Sequence, residues 1–140
     1  MVNVGVRYGA VEVKVHFKNK VNFLNSTSGT GKSFLFTILG EYYSDKGVSF
    51  VLVNAGSIPK NNIELEEKIL GIVKDSQIIC LDNADLYLTN NLYNNILRSC
   101  ADSTLLISMH RTVRLHSEEK DVGFYTIIYE DDKLVSRSQK

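Results

Sequence analysis

Among its 140 residues the chain has no tryptophan, one proline and two cysteines. Cys80 and Cys100 sit in apolar-patterned segments without metal-site spacing, so both read as buried free thiols rather than disulfide partners or metal ligands. The single proline, Pro59, excludes proline-rich linkers and recognition motifs. Net charge is lacking as well, with 16 Lys and Arg against 16 Asp and Glu. No overall field therefore attracts nucleic acid or an anionic membrane. The locally basic KLVSRSQK reads as a solvated end rather than a polyanion site. No apolar run reaches the roughly 18 residues of a spanning helix. The stretch MVNVGVRYGAVEVKV lacks the uninterrupted apolar core of a secretion signal. The expectation is a cytoplasmic protein without a membrane partner, folded as one domain over residues 1–140.

Two hydrophobic periods are present. Residues 2–8 and 11–17 alternate, with Val2, Val4, Val6 and Tyr8, then Val11, Val13, Val15 and Phe17, on one face. That period of two predicts antiparallel strands turning at Gly9, with His16 on the exposed side. VNFL (21–24) is a third short strand. From Lys32 the spacing of Leu35, Ile38, Leu39 and Tyr42 predicts a helix that ends at SDKG (44–47). VSFVLVNA (48–55) is continuously apolar, which predicts a strand covered on both faces. Ile63–Val73 reads as a helix, SQIICLDNAD (76–85) as a buried strand, and Leu92–Cys100 as a helix capped by Thr89 or Asn90. STLLISMH (103–110) is a further buried strand, and 124–137 a hairpin turning at Glu130–Lys133. Tyr42, Tyr43, Tyr87 and Tyr93 fit helix packing better than a base-stacking platform. Buried strands alternating with amphipathic helices predict a three-layer α/β/α sandwich with a mostly parallel sheet. Antiparallel strands are added at its N- and C-terminal ends.

Between the third strand and the first helix lies STSGTGKS (26–33). Glycines there let backbone amides approach an anion, and the N-terminus of the helix faces the same point. In the spacing G-x-x-x-x-G-K-[ST] the lysine reaches the terminal phosphates and the hydroxyl holds Mg²⁺. Gly31, Lys32 and Ser33 fill the last three positions, while Ser26 replaces the first glycine. The amides of Ser28, Gly29, Thr30, Gly31, Lys32, Ser33 and Phe34 are the expected phosphate cradle. IICLD (78–82) ends a buried strand in Asp82, which can hold Mg²⁺ together with Ser33.

On STSGTGKS as Walker A and IICLDNAD as Walker B, the chain resembles the P-loop NTPases. The strand between them points to the additional-strand branch that includes AAA+ and ABC-type ATPases. The resemblance implies that the strand carrying LLIS lies between the two Walker strands and ends in a residue sensing the γ-phosphate, Ser108 or His110. LLISMHR looks like the switch-histidine segment of the ABC type. No LSGGQ-like signature or helical insertion is present, nor the C-terminal helical lid of AAA+ proteins.

Catalysis is less plainly written. The resembling families carry glutamate after the Walker B aspartate, whereas here Asn83 can position water without accepting its proton. Asp85 either substitutes for that base or caps a helix at DLYL. His110 is a second possible base, or a satisfied loop histidine. Arg111 and Arg114 are either charge-stabilising fingers or solvated loop residues. Arg7, Tyr8 and Val11 precede the phosphate motif, where resembling proteins hold adenine. These residues predict an ATP- and Mg²⁺-binding protein, a slow ATPase with Lys32, Asp82, Asn83, Asp85 and His110 at its centre. The alternatives are a nucleotide-dependent binding module without turnover and a small P-loop kinase. A protein partner or a homo-oligomer would accompany a core of this size.

Overall fold

The computed structural model describes residues 1–26, 31–54, 63–110 and 114–139. Strands β1 (Val2–Tyr8) and β2 (Val11–Phe17) form the first hairpin, paired antiparallel from Val2–Phe17 to Tyr8–Val11. Gly9 makes its turn at a φ of 63°, which a side chain would resist. β3 (Val21–Ser26) leads towards α1 (Gly31–Asp45), followed by β4 (Phe50–Asn54), α2 (Ile63–Val73) and β5 (Ile78–Asp82). A 3-10 turn at Ala84–Leu86 precedes α3 (Asn90–Ser99) and β6 (Thr104–Ser108), and the hairpin β7 (Val122–Glu130) and β8 (Lys133–Ser138) completes the order.

Local chemistry fixes the ends of these elements. Helix α1 stops where Gly47, at a φ of 71°, lets its amide reach the Ser44 carbonyl at 3.1 Å and that of Val48 reach Tyr43 at 2.9 Å. This is the paired C-terminal closure that glycine favours. Thr89 caps α3, its hydroxyl accepting from the Leu92 amide at 3.1 Å. Beyond the far end of α3, the Lys20 ammonium donates to the carbonyls of Cys100, Ala101 and Ser103 at 3.1, 2.7 and 2.8 Å. A cation there offsets the negative end of the helix. The last hairpin turns on Asp131 and Asp132, both at positive φ.

The strands form one sheet in the order β1-β2-β8-β7-β3-β6-β5-β4. β7, β3, β6, β5 and β4 run parallel, whereas β1–β2 and β7–β8 are antiparallel hairpins. A parallel pairing of β2 with β8, Glu12–Lys133 to Lys14–Val135, joins the two hairpins side by side. β6 lies between β3 and β5.

The expected three-layer sandwich with antiparallel additions is therefore corrected. The described residues form a single mixed eight-stranded sheet, curled into a half-barrel, with three helices. Strands hold 40% and helices 31% of the described residues. The physical reason lies in the hairpin alternation. Val2, Val4, Val13, Val15, Phe17 and Leu134 are buried with Leu35, Phe36, Ile38 and Leu39 of α1 in one core. Glu12, Lys14 and His16 on the other face of β2 are exposed. One helix thus serves both halves of the sheet, which bends over it. A second core joins α2 and α3 to the opposite face of β3, β5 and β6. β4 is also corrected, since it is an edge strand with Leu52 40% exposed rather than covered on both faces. Among the described residues no helix is long and apolar enough to cross a membrane.

Candidate functional site

Because β3, β6, β5 and β4 run parallel, their C-terminal ends share one edge of the sheet. Open parallel sheets present ligand-binding residues at such an edge. Strand alternation sorts the side chains further. Leu106 of β6 and Cys80 of β5 belong to the core beneath α1, so Ser108 and Asp82, two residues on, face the same side. Gly31 and Lys32 open α1 above them.

Lys32 is only 5% exposed. Burial pushes its ammonium pKa below the usual lysine value, and the carboxylates of Asp82 and Asp85 push back. Its Nζ donates to the Met109 carbonyl at 3.4 Å, a long contact. Asp82 is 6% exposed, and its Oδ1 accepts from the Asn83 amide at 3.0 Å. The Tyr87 hydroxyl donates to the backbone carbonyls of Asp82 and Val53 at 3.0 and 3.3 Å, locking the ends of β5 and β4 together. Desolvation, then the nearby charges of Asp82 and Asp85, raise the Tyr87 phenol pKa. Ser108 is fully buried, and its Oγ has no hydrogen-bond partner among the described residues.

The other sequence candidates divide. Asn83 adopts a left-handed backbone, φ 51° and ψ 42°, which asparagine tolerates better than most residues. Asp85 lies inside the 3-10 turn, and its Oδ1 accepts from the His110 amide at 3.1 Å. The expected choice between a base and a helix cap therefore misses its actual contact, which ties the segment after β6 to the segment after β5. The residue His110 is exposed, as is Arg114. Ser33 is exposed in the first turn of α1, and Thr37 donates to its carbonyl at 3.1 Å. Phe34 is half-buried; its ring stacks on Tyr129 and meets the ring of Tyr8 edge-on. Tyr8 donates to Glu41 of α1 at 3.2 Å. Ser28, Gly29, Thr30 and Arg111 lie outside the described residues.

Met109 is the group that sequence reasoning missed. Its role rests on a main-chain carbonyl, and nothing in a side-chain pattern marks it. Among the described residues no three His, Cys, Asp or Glu side chains gather as a metal cage. Comparison with known families, curated proteins and solved structures gives no match.

Proposed function

We propose that the protein binds Mg·ATP at a P-loop-type site and hydrolyses it slowly. The observation that carries this reading is a buried lysine opening α1, held at one edge of the sheet with Asp82 and a Ser108 hydroxyl that has no partner among the described residues. β6, which carries Ser108, also lies between β3 and β5, as in the families that STSGTGKS and IICLDNAD resemble.

The donor set suits an oxyanion. Lys32 and Ser108 can donate to phosphate oxygens, and the phosphate restores to the ammonium what burial removed. Asp82 would repel the same anion. A divalent cation removes that conflict, and Mg²⁺ commonly sits on one or two carboxylates plus phosphate oxygens instead of an all-protein cage. Ser33 and Asp82 are the residues to hold it, and bound there it would supply charge neutralisation at the β- and γ-phosphates. Asn83 orients water without deprotonating it, which makes hydrolysis slow. A specific observation favours the non-hydrolysing alternative: Asp85, a candidate base, is engaged with the His110 amide.

Titration calorimetry with ATP, ADP and GTP, with and without Mg²⁺, tests the reading. Mg·ATP is expected to bind the wild type, and Lys32→Ala to bind at least about a hundredfold more weakly, the loss of a charge-assisted contact in a water-poor site. No heat with any nucleotide overturns the proposal.

A further inference from the structure

On the sheet face away from α1, a cavity of about 370 Å³ lies beside the ends of β3 and β6 and along β7. Phe23, Phe124, Met109 and Leu115 form its apolar walls. Phe23 and Phe124 face each other across the β3–β7 ladder, with ring centroids 5.3 Å apart and planes 17° from parallel. Phe124 is nevertheless 54% exposed. It offers an open aromatic surface whose partner ring is already aligned, an arrangement suited to a flat third group. Asn25, His110 and Gln139 are its polar lining. No Asp, Glu, Lys or Arg among the described residues lines the cavity, so no carboxylate, ammonium or guanidinium there offsets a ligand charge.

The cavity adjoins the candidate phosphate site without sharing its chemistry. Asn25 stands on the strand that leads into STSGTGKS, and Met109, a wall of the cavity, holds Lys32 through its carbonyl. The other aromatic cluster nearby offers less to a ring. Phe34 is already stacked on Tyr129, and Tyr8 is turned edge-on and bonded to Glu41.

We propose that this cavity binds a neutral planar ring with a hydrogen-bonding edge. Two sources fit that chemistry: the base of a nucleotide whose phosphates lie at Lys32, or a separate uncharged small molecule. The first rests on the function proposed above; the second does not.

Methionine labelling makes the test direct, because Met1 and Met109 are the chain's two methionines. Protein carrying ¹³C-methyl methionine is titrated with indole, adenosine, inorganic triphosphate and ATP, the last two with Mg²⁺. Indole and adenosine are expected to shift the Met109 methyl saturably. Phe124→Ala should weaken both by at least about fivefold, the loss of one stacking surface, with its melting curve recorded to confirm folding. If the base fills the cavity, ATP binds at least about tenfold more tightly than inorganic triphosphate and Phe124→Ala removes that difference. If a separate molecule fills it, ATP and triphosphate bind alike, and indole still titrates at saturating ATP. Either pattern supports the ring site. A Met109 methyl unmoved by both rings, or a folded Phe124→Ala that titrates like the wild type, overturns it. Absence of triphosphate binding in wild type would overturn the phosphate reading instead, and leaves the indole titration to decide the cavity.

Discussion

Ser108→Ala should move two quantities in opposite directions. The hydroxyl is fully buried at the end of β6, with no partner for its Oγ among the described residues. A buried polar group left in that state costs about 1–3 kcal/mol. Alanine removes the oxygen and leaves a void one atom across, so the loss of packing is small. The free variant should gain about 1 kcal/mol, equivalent to roughly 2–4 °C in melting temperature for a chain of this size. Thermal and urea unfolding without nucleotide measure it. On the binding side, a hydroxyl donating to a charged oxygen contributes about 1.5–3 kcal/mol, so Mg·ATP affinity should fall roughly 10- to 100-fold. A serine buried by accident of packing would show the first effect alone. Loss of stability in the free variant would mean the hydroxyl is satisfied in the folded protein, and the reasoning would fail at its first step. A gain in stability with unchanged ATP affinity would remove Ser108 from the site.

Asn83→Glu, which restores the base of the resembling families, should raise phosphate release about tenfold or more. It should also lower stability by about 1 kcal/mol, because φ at this position is 51°; an unchanged rate refutes the hydrolysis reading and leaves the binding module. Gly123→Ala should destabilise by about 1–3 kcal/mol in urea unfolding, since a Cβ there meets the Asn19 side chain, which also donates to Asp121 at 2.9 Å. A cost below about 0.5 kcal/mol would show that Asn19 yields freely. Alkaline titration should expose Tyr43, whose phenol burial, then Tyr42, pushes from 10.0 to about 12. As an acid with a raised folded pKa, it contributes stability that is complete below pH 10 and lost between pH 10 and 12. The loss is about 1.4 kcal/mol per pH unit, or roughly 2.7 kcal/mol in all. Tyr43→Phe should flatten that part of the unfolding profile, and an identical profile would contradict the assignment.

Element positions were legible wherever a single period ran uninterrupted. Val2–Tyr8, Val11–Phe17 and the helix at Ile63–Val73 occupy the residues that their spacing predicts. Thr89 caps α3 as one of its two candidates. The assembly of these elements was not legible. Nothing local in VEVKVHF or KLVSRS encodes that β2 lies parallel to β8, yet that contact makes one curled sheet out of two hairpins. β4 misled for a related reason. FVLVN has the composition of a covered strand, but coverage depends on which elements pack beside it, and its outer neighbour is solvent at Leu52. For the candidate site, Lys32 and Asp82 could be named from their motifs, and Ser108, with His110 as the alternative, only from what the family resemblance implies. Contacts made through the main chain, Met109 to Lys32 and His110 to Asp85, could not.

The convergence of those residues comes from strand direction alone. Lys32 and Asp82 are 50 positions apart, and Ser108 is farther along still. Each stands where the chain leaves, or has just left, the same end of a parallel strand, so one edge collects all three. The free protein satisfies them poorly. Among the described residues the ammonium has exchanged water for one long contact to a carbonyl and the attraction of Asp82 and Asp85, and Ser108 donates to nothing. Apolar side chains at these positions would avoid those losses, because a core of this kind gains nothing from unpaired polar groups. On the proposed function, an acceptor rich in lone pairs between the ammonium and the hydroxyl offsets those losses. On the same proposal, a cation accompanying that acceptor relieves its repulsion from the Asp82 carboxylate. This is why we propose a metal-bound polyphosphate over either ion separately: a lone anion would leave Asp82 opposed and a lone cation would leave Lys32 opposed.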